Sequence, residues 1–249
     1  LREENMGLTF NIAKCVAWAP GVVTEQDWQL WAEGHHSFTD ESDLPALKTI
    51  PAMQRRRLSP FAKINLHCAL EATEHQQGDL ACVFSSRHGD LNRTTALIEN
   101  VAKKEDLSPT QFGLSVHNAV SGLYSIYTKN HAPISAVAAG KASFMVGLLD
   151  AVAKLHVNQL DKILYVYADW AVPECYTSYV DNEQTVAIGL LLERTAQDKS
   201  GNISINDNGL AEGILATNQA VDFLAFYYGK QNSWATQVNQ QYWNMKKAL

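Results

Sequence analysis

Leu107-Ser-Pro-Thr-Gln-Phe-Gly-Leu-Ser-Val-His-Asn-Ala-Val-Ser-Gly-Leu-Tyr-Ser-Ile126 is the stretch on which the fold turns. It stands between two runs that alternate strand and helix patterns. Upstream, Leu80-Ala-Cys-Val-Phe84 is a short continuous apolar run, as in a central strand covered on both faces. Residues 91–105 predict a helix, with Leu91, Leu97, Ile98 and Val101 apolar and Lys103 and Lys104 in the last turn. Downstream, 134–139 predicts a strand, 142–156 a helix with Phe144, Leu148, Val152 and Leu155 on one face, and 163–167 and 185–192 two more strands. Further out, Leu8, Phe10 and Ile12 alternate with polar or small residues, which predicts a first strand. Thr24 is placed to cap a short helix carrying Trp28 and Trp31, with Glu25 and Asp27 in its first turn. A long connection over 34–54 leads to a helix from Leu58, where Pro60 is tolerated because the first turn does not need its N–H. Residues 197–209 are turn-rich and read as a loop or hairpin rim. The tail returns to helical spacing with Trp234, Val238, Tyr242, Met245 and Leu249. This succession predicts an α/β layered fold with a mostly parallel central sheet ending in an adjacent strand pair.

The 249 residues fit one large domain or two small ones, and they bury enough surface to need no disulfide staples. Lys and Arg number 20 against 26 Asp and Glu, so the net charge of −6 speaks against a general nucleic-acid binder. A mean hydropathy of −0.18 and the lack of a long apolar run exclude a membrane-spanning helix. The four cysteines, Cys15, Cys68, Cys82 and Cys175, form no CxxC pair, which favours reduced thiols in a cytosol-like compartment. Residues 1–5 are polar and no signal-peptide core follows them; whether they are native stays open. The sequence has no GxSxG, Walker loop, HExxH or metal-ligand cluster.

Together with Phe84-Ser-Ser-Arg-His-Gly89, the 107–126 stretch resembles the N-terminal half of the β-ketoacyl synthases, which have the thiolase fold. In those enzymes a strand leads into a tight turn, and a nucleophilic cysteine opens a buried helix, followed by a Ser-Gly pair. A helix N-terminus lowers the pKa of such a thiol. Ser121-Gly122 match the pair, and the resemblance sets Ala119 where the cysteine would stand. It therefore implies no catalytic residue here, with His117, Asn118, Ala119, Ser121 and Gly122 as pocket or turn residues and no metal. His117 is open to two readings, a pocket base or a ring that hydrogen-bonds the backbone of the turn.

The resemblance covers residues 7–193, with its specific part at 80–126, and implies one ketosynthase-like domain over 1–249 with a reduced C-terminal part and an extension at 210–249. Ser135 to Gly140 and Tyr165 to Asp169 extend the likeness to a short subgroup associated with aryl-polyene clusters, whose members look like chain length factors. It implies a cytoplasmic subunit without a cofactor of its own, in a heterodimer with a full-length ketosynthase. Acyl-phosphopantetheine chains would reach that partner on an acyl carrier protein. A strand over about Gly113–Val116 is implied at the interface, with Phe112, Gly113, Leu114, Ser115 and Val116 as contact residues. Two rival readings stay in view: a hydrolase or acyltransferase using Ser121 with His117, and a scaffold without a tunnel role.

Other features have two uses each. Arg55-Arg56-Arg57 attracts an acidic carrier or a phosphate, or it anchors a loop and is solvated. Asp222, Tyr227, Tyr228, Trp234, Tyr242 and Trp243 form a partner surface or a cap over the sheet. Cys68 and Cys82 read as core fillers, and Cys175 as the one thiol to test for reactivity.

Overall fold

The computed structural model describes residues 8–40, 43–180, 184–195, 203–206, 218–238 and 240–247. Residues 1–5, most of 197–209 and Leu249 therefore lie outside the described residues. In chain order the elements are β1 (Leu8–Trp18), α1 (Glu25–Ala32), α2 (Ala52–Arg55), α3 (Pro60–Ala72), β2 (Cys82–Ser85) and α4 (Leu91–Ala102). They continue with α5 (Pro109–Ser115), α6 (Ala119–Thr128), β3 (Ile134–Val137), α7 (Ser143–Val157), β4 (Lys162–Asp169) and β5 (Val186–Arg194). The last are β6 (Ile203–Asn206), α8 (Gln219–Tyr228), β7 (Ser233–Val238) and β8 (Gln241–Lys247).

One eight-stranded sheet runs in the order β3-β2-β4-β5-β1-β6-β8-β7. The layered α/β architecture is as expected, but the sheet is not mostly parallel. Among the described residues only β2 pairs in parallel, with β3 and β4; from β4/β5 onward every pairing is antiparallel. The chain makes both parallel pairings through helical crossovers, α4, α5 and α6 leading from β2 to β3 and α7 following before β4.

Both faces of the central strands are buried, which is why they read as unbroken apolar runs. Along β4, Ile163, Tyr165 and Tyr167 join one core with α7, whereas Leu164, Val166 and Ala168 join the other with α3. Ser59 caps α3, its Oγ accepting from the Ala62 N–H at 3.1 Å, with Pro60 at the first helical position. Thr24 and Asp27 form a reciprocal capping box on α1, and the Trp28 indole donates to the Ala17 carbonyl at 2.9 Å.

Close approach rests on two glycines. A Cβ on Gly189 of β5 would stand 2.3 Å from the Cys68 carbonyl oxygen of α3. One on Gly147 of α7 would meet the Ser85 side chain at 2.7 Å and the Tyr165 ring at 2.9 Å.

The tail is not helical after α8. β7 and β8 pair as antiparallel neighbours instead, with Thr236 and Val238 buried on one strand and Trp243 and Met245 on the other. The three- and four-residue spacing from Trp234 to Met245 steps from one strand to the next. Within each strand the burial period is two, as β-branched and aromatic residues favour.

Gly189→Ala should destabilise the fold by about 2–3 kcal/mol, because the methyl meets backbone that cannot rotate away. Thermal denaturation should register a drop of roughly 5–10 °C, and an unchanged midpoint would contradict the packing. A second expectation concerns Asp222 in the first turn of α8, whose carboxyl burial pushes up to about 6. A raised native value favours the folded state while the proton stays on. Its contribution is full below about pH 4, fades as the unfolded chain ionises, and is gone above about 6. Urea midpoints of wild type and Asp222→Asn should therefore diverge across that window and run parallel above it.

Candidate functional site

The expected strand at 113–116 is absent. Ser108 and Pro109 start a helix instead: Ser108 Oγ accepts from the Gln111 N–H at 3.4 Å, proline takes the first helical position, and α5 runs to Ser115. Phe112, Gly113, Leu114 and Ser115 are thus helical, and Val116 is extended as the helix ends. Phe112, Gly113 and Val116 are exposed, while Leu114 and Ser115 are half-buried.

Ala119 does open a helix, α6, with Asn118 at its N-cap position making no side-chain cap. Ser121 is buried and its Oγ donates to the Asn118 carbonyl at 2.9 Å. His117 turns the other way, its Nε2 lying 3.2 Å from the Ser86 carbonyl oxygen, which requires the proton on that nitrogen. The hydroxyl and the ring that a Ser–His hydrolase would couple are each spent on a different backbone carbonyl. Gly122 is exposed, and a Cβ there would meet nothing within 4 Å beyond its own stretch of helix backbone.

The loop that receives His117 is held by a buried carboxylate at the end of β4. Asp169 accepts from Ser86 Oγ at 2.7 Å, from the N–H groups of Arg87 and His88 at 3.1 Å, and from the Tyr167 hydroxyl at 2.6 Å. Burial raises its pKa and the four donors oppose that rise. Ser86 Oγ also accepts from the Gly89 N–H at 2.7 Å, closing a tight turn at which Gly89 takes φ +63°. The carboxylate thereby fixes the carbonyl on which His117 rests.

The strand, tight turn and buried helix that the resemblance implies occur together further along the chain. β3 runs into Ala138-Ala139-Gly140-Lys141-Ala142, with Gly140 at φ +57°, and α7 follows with Phe144, Met145, Leu148, Ala151, Val152 and Leu155 buried. Ser143 Oγ ties this turn, accepting from the Ala139 N–H at 2.9 Å and donating to the Gly140 carbonyl at 2.8 Å. Ala138, Ala139, Gly140 and Lys141 are exposed. The sequence reading set the turn at Ala119. The stronger signal was Gly140 standing between a short apolar strand and the long apolar helix.

Neither turn contains a cysteine. Cys15 lies in β1, Cys68 in α3 and Cys82 in β2; burial pushes the Cys15 and Cys82 thiols up to about 12 and Cys68 well above its ordinary value. Cys175 is exposed in a 3₁₀ turn over Glu174–Tyr179. Among the described residues no group of three or more His, Cys, Asp or Glu could hold a metal, and no helix is long and apolar enough to cross a membrane.

The family described as beta-ketoacyl synthase, N-terminal domain, matches residues 28–246. Among solved structures, the ketosynthase ApeO in complex with its chain length factor ApeC from Xenorhabdus doucetiae contains a chain 28% identical to this one. The TM-score is 0.83, with 96% of this chain and 100% of that chain covered. The ishigamide ketosynthase/chain length factor matches at 14% identity and TM-score 0.58, covering 79% of this chain and 65% of that one. The ketosynthase from module 6 of the bacillaene synthase of Bacillus subtilis 168 matches at 14% and 0.56, covering 86% of this chain but 46% of its own length. At such identities the last two share the fold. No curated protein gives a match. A parallel trio of strands flanked by α3 and α7, an antiparallel continuation and a match over most of the length place this chain in the β-ketoacyl synthase N-terminal domain family, with a thiolase-like fold.

Proposed function

We propose that this chain is a non-catalytic, chain-length-factor-like subunit that pairs with an active β-ketoacyl synthase. The pair would act in the cytoplasm in aryl-polyene biosynthesis, the partner supplying the nucleophilic cysteine. An acyl carrier protein would bring acyl-phosphopantetheine to the partner, and this chain would shape the tunnel that limits chain growth without a cofactor of its own. The observation that carries the reading is the end-to-end likeness to a chain of a ketosynthase and chain length factor complex. The absence of cysteine at either helix-opening turn supports it, since neither the Ala119 methyl nor the Lys141 amine can form the thioester of a ketosynthase.

The surface supports a partner as well. β3 ends the sheet, so one side of it pairs with no strand among the described residues. In the stretch that precedes it, Ile98, Val101, Leu107, Phe112, Val116 and Ile126 are 53, 60, 41, 61, 44 and 68% exposed. Those are six of the eleven large apolar side chains exposed to this degree among the described residues, and they crowd into α4, α5, α6 and their connections. Such crowding marks an interaction face rather than scattered surface residues. An obligate interface of about 2,000 Å² or more would cover both the strand edge and the apolar face.

Co-expressed with the full-length ketosynthase, the chain should purify as a 1:1 complex; expressed alone, it should self-associate. Phe112→Asp combined with Ile126→Asp should abolish co-purification while leaving the thermal midpoint within about 2 °C, because both side chains are solvent-exposed without a partner. A well-behaved monomer that ignores the ketosynthase would sink the proposal. Incubation of the isolated chain with an acyl-carrier donor should yield no adduct by intact mass. Neither Ala119→Cys nor Lys141→Cys should confer chain elongation on the chain alone.

A further inference from the structure

The Arg55-Arg56-Arg57 run is resolved into unequal parts. Arg55 is an anchor, its Nη1 donating to the carbonyls of Ala46 at 3.2 Å and Leu47 at 3.4 Å. Arg56 and Arg57 are exposed, and among the described residues their guanidinium groups have no ion-pair or hydrogen-bond partner. Both line a cleft of 430 Å³ between the starts of α3 and α4, together with Ser59, Asp90 and Arg93. Arg56 also lines a second cleft of 250 Å³ with Arg55 and Lys63, and Lys63 likewise has no partner among the described residues. The two clefts thus share one arginine and hold five cations.

Among the described residues that line them, the single carboxylate is already neutralised. Asp90 Oδ2 lies 3.0 Å from Arg93 Nε, the two side chains only 6 and 10% exposed. The rest of the Arg93 guanidinium donates to Gln111 and, at 3.2 Å, to the Arg57 carbonyl. Arg93 therefore serves as a strut, and the net positive charge of the cleft sits on Arg56 and Arg57. In a chain of net charge −6 this is a local concentration of like charge that repels itself until an anion enters.

We propose that these clefts bind a phosphoryl anion, the phosphate of a monoester or diester. Paired guanidinium forks suit a tetrahedral oxyanion, which each can grip through two N–H groups. The larger cleft has the volume of a small-ligand site and a concave wall that includes Leu58, Ala96 and Leu97, so a ligand tail beyond the phosphate finds apolar contact. A flat acidic protein surface would leave that concavity unfilled. The assignment does not depend on the pairing proposed above.

Calorimetric titration of the full chain with inorganic phosphate, against chloride at matched ionic strength, tests it. Phosphate should bind and raise the thermal midpoint, and Arg56→Gln with Arg57→Gln should weaken binding about tenfold or more. 4′-Phosphopantetheine should bind more tightly than pantetheine if the phosphate comes from a carrier's prosthetic arm. Equal binding of both would assign the source to another ester, provided inorganic phosphate still binds. On the wild-type chain, phosphate should also protect the peptide bearing Arg56 and Arg57 from phenylglyoxal, a readout that needs no variant. The proposal fails if chloride stabilises equally, if the double variant binds as wild type, or if phosphate gives no protection. Capture of an acidic protein without any response to phosphate overturns it too.

Discussion

The approach of one helix to each face of the sheet is the constraint on which the other elements depend. Gly189 lets the α3 backbone come down onto β5, and Gly147 lets α7 come down onto Ser85 and Tyr165. With both helices that close, β2, β4 and β5 are buried on both faces, and their residues are apolar at successive positions. Two cores rather than one result, and the hydroxyls trapped between them must find partners within the protein. Tyr165 does so by donating to the Phe144 carbonyl at 2.6 Å, with Ser85 Oγ 2.8 Å from its oxygen.

The same closeness governs where the parallel strands end. Dry surroundings at the end of β4 would make a carboxylate costly, yet Asp169 stands there among four donors from Tyr167 and the 86–88 loop. A buried anion satisfied this way organises what surrounds it. The loop is pinned to β4, Gly89 takes a left-handed turn, and the Ser86 carbonyl is left to receive His117. The path of the chain into α6 is thus set from the core outward.

Much of this was legible because the physics is local. The strands at 8–13, 80–84, 134–139, 163–167 and 185–192 carry their own periodicity, as do the helices near 24, 58, 91 and 142, the first three with side-chain caps as well. Other features were not legible. The pairing of β7 with β8 was hidden because residues from two strands, read as one run, mimic helical spacing. The sense of the strands was hidden because a doubly buried strand looks the same in a parallel and an antiparallel pairing. The helix-opening turn was misplaced because a Ser-Gly pair is a weaker constraint than a left-handed glycine between a strand and a buried helix. Ser121 only adds a second donor to the Asn118 carbonyl, whereas Gly140 takes a left-handed φ that favours glycine.

Helix α4 shows why apolar periodicity could find an element without finding what it packs against. Leu91, Leu97, Ile98 and Val101 read as the core face of an amphipathic helix. Yet Thr95 is its one residue counted as buried, and Ile98 and Val101 stand more than half exposed. Arg93, Leu97 and Asn100, at helical spacing, turn to the cationic cleft instead. Its N-cap aspartate is committed to Arg93 on that same side. One helix therefore presents a charged cleft along one line and an apolar stripe along another, and only the second is costly to leave in water. Periodicity reports that a face must be covered; whether the cover is the chain's own sheet or another protein is decided by how much sheet remains. Here α3, α7 and α8 have already claimed both faces of it, so among the described residues the stripe on α4 finds no sheet surface to meet.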